Sequence, residues 1–178
     1  MVFPGTMLGE RVFPEQLAKF VTSYFEEKGV ELLTGEQAVA VGTHEGRCLL
    51  KTRSGREIAV DGVVAGIGIE PNTELAVAAG LETGNGIVVD EFLRSTDTNI
   101  FAAGDVASFP YLGTQRRVEN EDNANAMGRT AGHNMAGKAE RYDHLPSFYS
   151  DMFDLGYEAV GQLDSRMEIF ADWKIPNE

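Results

Sequence analysis

The sequence predicts an α/β fold, and three features support this class. A helix-like segment at residues 10–29 is followed directly by a short strand-like run at 30–33. Three β-like segments between residues 38 and 60 are separated by turn-forming residues, which predicts a β-meander. Residues 62–68 are almost entirely apolar, as expected for a central strand of a parallel sheet. Helices and strands that alternate in this way are typical of α/β proteins.

The first predicted helix has recognisable signals at both ends. Pro14 suits a first helical turn, because its ring fixes φ and it needs no backbone donor there. Gly29 suits the residue just past the last turn. Between these ends apolar side chains recur at helical spacing, namely Leu17, Phe20, Val21, Tyr24 and Phe25.

The rest of the chain divides into shorter predicted elements. The meander consists of strands at 38–42, 47–53 and 57–60. Beyond it we expect a short helix at 73–79, strands at 86–90 and 99–103, a long helix at about 120–136, and a strand at 157–161. The apolar stripe of the long helix is predicted from Ala124, Met127, Ala131 and Met135, and Gly137 ends it. Domain boundaries are predicted near residues 78 and 140.

Composition and charge exclude several function classes. The chain of 178 residues has 15 basic and 28 acidic residues, a net charge of −13, which disfavours nucleic acids and anionic membranes as partners. Cys48 is the only cysteine, so no internal disulfide can form and a cytoplasmic location is expected. No apolar run approaches the roughly 20 residues of a membrane span, and no signal peptide opens the chain. The histidines His44, His133 and His144 have no second ligand at metal spacing, so no metal site is predicted.

The run TNIFAAGDVA at residues 98–107 is the segment most suggestive of chemistry. We expect a strand that ends at Gly104, with Asp105 directly after it. Ligands of doubly wound folds lie beyond the carboxyl ends of the strands. A glycine has no Cβ to hold a phosphate or sugar away, and a carboxylate accepts hydrogen bonds from a polyol. A plain structural turn is the alternative for an isolated Gly-Asp pair.

Several motifs in order resemble a known family. Gly66 and Gly68, in the run GIGIEPN, precede Gly104-Asp105 by about 35 residues. This combination resembles the C-terminal half of the flavoproteins with two dinucleotide-binding domains, the pyridine nucleotide-disulfide oxidoreductase superfamily. The runs RRVENEDNA at 116–124 and GYEAVG at 156–161 resemble its apoptosis-inducing factor branch, close to the ferredoxin reductase-type enzymes.

The resemblance implies partial FAD/NAD(P)-binding Rossmann-like, three-layer domains with a β-meander, plus the start of an α+β C-terminal domain. Residues 1–78 would complete the NAD(P)H-binding domain, 79–140 would be the returning segment of the FAD-binding domain, and 141–178 would begin the C-terminal, interface domain.

The resemblance also implies a set of cofactor-binding residues. On the FAD side these are Gly104, Asp105, Glu119, Asn120, Glu121, Ala124 and Tyr149; on the NAD(P)H side they are Gly66, Gly68 and Glu158. Asn120 and Tyr149 stand where eukaryotic members of the branch carry histidine and tryptophan. Helix stabilisation by the acids of 119–122, a solvated Glu158 and a core-packed Tyr149 are the structural alternatives. No acid/base residue is assigned.

The helix that begins near residue 120 gives this site a physical basis. Its unpaired first amides and positive dipole end favour negative charge. The resemblance directs this end at the pyrimidine edge of the flavin.

The sequence contains no G-x-G-x-x-G phosphate-binding fingerprint. We therefore expect a segment of a longer FAD-dependent NAD(P)H oxidoreductase, inactive and without bound cofactor by itself. Its parent would pass hydride from NAD(P)H to flavin and electrons to a ferredoxin, a quinone or oxygen. The alternatives are a non-catalytic interaction or assembly module and an NADH sensor that changes oligomeric state, with a homodimer as a further possibility. The choice between NADH and NADPH stays open.

Overall fold

The structure, a computed structural model, describes residues 1–172 and forms two compact units. The first contains Met1–Gly66 together with the described residues from Leu163 onwards, and the second is Ile67–Gln162. The domain divisions expected at 78 and 140 stay predictions. Trp173 and the residues after it, which belong to the expected third domain, lie outside the described residues.

The first unit begins with the predicted helix, now α1, Glu15–Glu27. Pro14 occupies the N-cap position with φ −53°, and Gly29 adopts φ +86° after the last turn. Ala18 and Val21 are the buried residues of the helix. Thr22 Oγ1 donates to the carbonyl of Ala18 and accepts from the Leu8 amide, which ties the preceding loop to the helix. The predicted helix is confirmed.

The predicted meander is also confirmed. Its strands are β1 (Ala38–His44), β2 (Arg47–Thr52) and β3 (Glu57–Val60), all antiparallel in the order β1-β2-β3. Gly46 at φ +78° and Gly55 at φ +89° lie in the two turns, where a left-handed backbone favours glycine. The two turn signals of the sequence therefore set the register of this sheet.

Two predicted strands of this half are wrong. Residues 30–33 form only a single parallel bridge, between Val2 and Leu33. Residues 62–68 form no strand, and the side chains of Val64 and Ile67 are 101% and 91% exposed. A strand needs a neighbour for its backbone hydrogen bonds, and no segment among residues 1–172 runs beside this one.

The second unit contains a short helix, a small mixed sheet, a long helix and a hairpin. The helices are α2 (Glu74–Ala78), which confirms the predicted short helix, and α3 (Glu121–Met135), which confirms the long one. The sheet is β4 (Thr83–Gly84), β5 (Gly86–Val88), β6 (Ala107–Tyr111) and β7 (Thr114–Arg116), with only β5 and β6 parallel. The hairpin is β8 (Ser147–Met152) with β9 (Leu155–Val160). The strands predicted near 86–90 and 157–161 are therefore confirmed.

The strand predicted at 99–103 is wrong. This segment makes one isolated antiparallel bridge, between Arg94 and Phe101. Gly104–Val106 is a short 3-10 helix that leads into β6. The Gly-Asp pair therefore precedes a strand instead of ending one, because the segment before it has no partner strand within the described chain.

The core of the second unit lies between its sheet and α3. Phe109, Leu93, Met127 and Asn123 are its largest fully buried side chains. The buried face of α3 consists of Asn123, Met127, Thr130 and Ala131. The predicted apolar stripe is thus correct for Met127 and Ala131 and wrong for Met135, which is 69% exposed. No helix of the described chain is long and apolar enough to cross a membrane.

Candidate functional site

The Gly104–Val106 turn packs beside the beginning of α3. Gly104 has φ +77°, and a Cβ added to it would lie 3.6 Å from Cβ of Ala124, an ordinary van der Waals contact. The left-handed backbone therefore requires glycine here, while the protein itself leaves room beside it. Asp105 is exposed, and its carboxylate forms no hydrogen bond within the described residues. Gly104 and Ala124, two of the residues that the resemblance assigns to the FAD side, are thus neighbours.

The first turn of α3 carries the elements of an anion-favouring helix end. Asn120 is the N-cap residue, and its Oδ1 accepts a 2.7 Å hydrogen bond from the amide of Asn123. The amides of Glu121 and Asp122 have no acceptor inside the helix, because the first helical turn provides none. The carboxylates of Glu121 and Asp122 lie in that same turn and oppose further negative charge.

Arg117 joins the Gly104–Val106 turn to the start of α3. Its Nη1 donates to the carbonyl of Asp105 at 2.7 Å, and its Nη2 lies 2.6 Å from Oε1 of Glu119. Nε donates to Oδ1 of Asn85 at 3.2 Å, and the side chain is only 6% exposed. Glu119 is therefore held by an arginine. Arg117 has no signal in the sequence beyond its membership of the RRVENEDNA run.

A cavity of about 780 Å³ opens at this end of α3. One side is formed by the first turns of α3 and the other by the hairpin β8–β9. Its lining residues are Asn120, Glu121, Asp122, Asn125, Ser147, Phe148, Tyr149, Glu158, Ala159 and Val160. Four of the ten residues expected to bind cofactor therefore lie around one space: Asn120, Glu121, Tyr149 and Glu158.

The other expected residues lie outside the cavity lining. Gly104, Asp105, Glu119 and Ala124 lie on or beside the start of α3. Gly66 and Gly68 lie in the coil at 61–73 and are not among the lining residues of the cavity. On the hairpin, Tyr149 pairs directly with Glu158 and is 74% exposed, so it is not a core residue.

A hydrogen-bonded group links α3 to the segment before β8. Oδ2 of Asp122 lies 2.6 Å from Nε2 of His144 and accepts a 2.9 Å bond from the amide of Ser147. These bonds hold the pKa of Asp122 below its usual range, the His144 bond being the larger cause. Beside them, the hydroxyl of Tyr142 donates to Oδ1 of the buried Asn123 at 2.8 Å. Burial raises the pKa of Tyr142, and the charge of Asp122 adds to the effect.

The residues present fit the ring end of a flavin or nicotinamide, and not its pyrophosphate. The cavity offers an exposed tyrosine ring, a phenylalanine, two amides and a helix N-terminus. Three carboxylates line it, from Glu121, Asp122 and Glu158, and none of its lining residues is basic. Phosphate binding needs a glycine-rich loop or cationic side chains. Residues 1–172 contain no group of three His, Cys, Asp or Glu side chains placed to hold a metal ion.

Comparison with known proteins gives two family matches. The model of the pyridine nucleotide-disulphide oxidoreductases matches residues 4–128, and that of the C-terminal part of mitochondrion-associated apoptosis-inducing factor matches residues 131–178. Apoptosis-inducing factor 1 of Dictyostelium discoideum is 35% identical over 99% of this chain and 35% of its own length. Monodehydroascorbate reductase 3 of Arabidopsis thaliana is 36% identical over 97% of this chain and 41% of its own length.

Among solved structures, a ferredoxin reductase from Rhodopseudomonas palustris has a TM-score of 0.83 and 32% identity, over 90% of this chain and 40% of its own. Putidaredoxin reductase, in its covalent complex with putidaredoxin, has a TM-score of 0.82 and 32% identity over the same shares. The chain spans less than half the length of each of these relatives.

Proposed function

This chain belongs to the pyridine nucleotide-disulphide oxidoreductase family, and on that premise we propose that it is a segment of an FAD-dependent NAD(P)H oxidoreductase. The resemblance inferred from sequence is confirmed by both family matches, and the α/β class by the structural relatives. The observation that supports the proposal most is the cavity at the start of α3, which brings Asn120, Glu121, Tyr149 and Glu158 together.

In this family the flavin, when bound, accepts hydride from the nicotinamide and passes electrons onward. The described residues would bind and orient the two rings. The amides and dipole of the α3 N-terminus would favour negative charge at the ring edge that faces them, by about 0.3–1 kcal/mol at an exposed site. Glu121 and Asp122 reduce this gain, because their charges already lie at the helix start.

The hairpin would supply the opposite side of the ring-binding space. Tyr149 presents an exposed ring that can pack on a planar cofactor. Glu158, its cross-strand neighbour, would approach the nicotinamide, as the resemblance implies. Glu158 and Glu121 form no ion pair within the described chain. Gly104 and Asp105 would lie against the ribityl part of FAD, as the resemblance implies, and the glycine has no Cβ to hold a sugar away.

For the electron acceptor we propose a ferredoxin-type protein, with a quinone or oxygen as alternatives. Support comes from the names of relatives. Rhodocoxin reductase of Rhodococcus erythropolis is 35% identical over 85% of this chain, and putidaredoxin reductase was solved together with putidaredoxin. The cytoplasmic location stays a prediction, and one relative is named as mitochondrial.

The test compares this chain with the full-length protein that we propose contains it. We expect the 178-residue chain, titrated with FAD, to show no stoichiometric flavin spectrum, because it has no phosphate-binding fingerprint. The full-length protein should bind FAD and reduce a dye acceptor with NADH or NADPH in a diaphorase assay. A full-length protein without flavin would favour the interaction module. NADH-dependent dimerisation with slow turnover would favour the sensor.

A further inference from the structure

The hairpin β8–β9 forms one side of the cavity without belonging to the hydrophobic core. The buried core of the second unit includes Phe109, Met127 and Tyr142, and neither it nor the partly buried side chains packed on it include any residue of 147–160. A two-stranded hairpin by itself is marginally stable at best in water. The position of Tyr149 and Glu158 therefore depends on the polar contacts that join the hairpin to the rest of the unit.

The carboxylate of Asp122 makes a contact of this kind. One oxygen, Oδ2, receives both Nε2–H of His144 and the backbone N–H of Ser147, the first residue of β8. Hydrogen bonds to a charged acceptor are about twice as strong as neutral ones. Asp122 also lines the cavity and lies in the first turn of α3. The Asp122 side chain therefore lies on the α3 side of the cavity and also holds the first residue of β8, on the hairpin side.

His144 lies between Tyr142, which is packed in the core, and the first residue of the hairpin. Two residues earlier, the Tyr142 ring packs edge-on against the Phe109 ring, with 5.2 Å between the ring centroids, and the Tyr142 hydroxyl donates to the buried Asn123. Three residues later, Ser147 begins β8. The chain from 143 to 147 thus leaves the core at Tyr142, is buried again at Pro146, and is bonded to the first turn of α3 through Asp122. His144 provides the side-chain half of that attachment.

We propose that His144 is a positioning residue that, through Asp122, sets the width of the cavity between the start of α3 and the β8–β9 hairpin. This inference rests on the proposed function for its purpose, which is to hold the ring-binding space at one size. Loss of His144 leaves Asp122 with the Ser147 amide alone, and the hairpin can then move away from α3. Tyr149 and Glu158 move with it.

The chain offers a matched control for this experiment. His133, near the other end of α3, also pairs with a carboxylate: its Nδ1 lies 2.7 Å from Oε2 of Glu140. Neither residue lines the cavity. His133→Ala therefore removes a histidine–carboxylate pair of similar geometry and exposure without touching the hairpin attachment.

The measurement is amide hydrogen exchange and NMR chemical shift in the 178-residue chain. We expect His144→Ala and Asp122→Ala to speed exchange at the Ser147 amide by about tenfold, the equivalent of one lost hydrogen bond to a charged group. The amide signals of Tyr149 and Glu158 should shift in both variants. His144→Gln, whose amide can donate in place of Nε2–H, should restore both readouts to within about twofold of the parent.

The proposal fails if His144→Ala and His133→Ala give the same exchange rate at Ser147 and the same amide shifts at Tyr149 and Glu158. It also fails if His144→Gln does not restore the exchange rate and the shifts. If His144→Ala does not fold, the same readouts in Asp122→Asn decide, because its neutral amide oxygen accepts both bonds more weakly: exchange at Ser147 should quicken and the signals of Tyr149 and Glu158 should shift, and signals equal to the parent's would overturn the proposal. These readouts need no flavin. A full-length protein that binds no flavin would therefore overturn the proposed function and leave the positioning role intact.

Discussion

Replacing Gly104 by alanine separates a backbone requirement from a packing requirement at the proposed flavin face. Gly104 has φ +77°, where an L-residue costs about 1–2 kcal/mol. The new Cβ would meet only Cβ of Ala124, at 3.6 Å. We therefore expect Gly104→Ala to lower the free energy of unfolding of this chain by about 1–2 kcal/mol, and no more, because the protein adds no clash.

Two other glycines provide reference values for the stability loss of Gly104→Ala. Gly113 has φ +82° with nothing within 4 Å of an added Cβ, so Gly113→Ala should cost the same backbone strain alone. Gly86 has φ +106°, and its Cβ would lie 2.5 Å from the carbonyl oxygen of Val106 and 2.9 Å from Cδ of Arg117. Strain and overpacking together give about 2–5 kcal/mol for Gly86→Ala.

The assay is urea unfolding followed by far-ultraviolet circular dichroism, with a shared slope for the parent and the three variants. Gly86→Ala should lose the most free energy of unfolding, and Gly104→Ala and Gly113→Ala should lose smaller amounts that are equal within error. If Gly104→Ala loses as much stability as Gly86→Ala, the protein packs tightly against Gly104, and the conclusion that an added Cβ meets no clash there is refuted.

Three further predictions concern the start of α3. Asn120→Ala should lower the free energy of unfolding by about 1 kcal/mol, because the cap on the Asn123 amide is lost, and Asn120→Ser should retain most of it, in the same urea assay. Tyr142→Phe should cost about 1–3 kcal/mol by leaving the buried Asn123 Oδ1 unpaired, whereas the exposed Tyr149→Phe should cost almost nothing; equal losses would contradict the role of that bond. The pKa of Asp122 is lowered by folding, so its contribution is present at neutral pH and is lost as pH falls through the ordinary aspartate range near about 4 and below. On acidification, the urea midpoint of Asp122→Ala should therefore fall less than the midpoint of the parent. Equal falls in the two midpoints would contradict a stabilising role of the ionised Asp122.

Elements with local signals could be predicted from the sequence. Helix α1 has its proline and glycine at the ends, and the meander has glycines in both turns. The runs at 62–68 and 99–103 have equally clear apolar patterns and form no strand. A strand depends on a neighbour elsewhere in the chain, and apolar composition carries no information about whether that neighbour is present.

The face of α3 shows a second physical limit of pattern reading. Periodicity of apolar residues favours Ala124 and Met135, but the buried position is taken by Asn123. A polar residue can be buried when its groups are satisfied, and Asn123 bonds to Tyr142 and to the carbonyl of Val118. The satisfying partner lies 19 residues away in sequence, so no local pattern indicates it.

The candidate site also contains parts that the sequence predicted and parts that it did not. A helix start near residue 120 was predicted from apolar periodicity, and the family resemblance placed Gly104-Asp105 on the same FAD side as that helix start. The contact of Asp122 with His144 spans 22 residues, and that of Arg117 with Asn85 spans 32. Contacts of this kind depend on the fold as a whole, so no local pattern in the sequence indicates them.

The most direct test of the proposed cofactor site is the visible spectrum of the full-length protein during anaerobic titration with NADH and, separately, with NADPH. We expect about one FAD per chain, bleached by at least one of the two nucleotides, and weaker flavin retention in Gly104→Ala than its stability loss explains. A protein that purifies without flavin and takes up none when FAD is added would contradict the assignment.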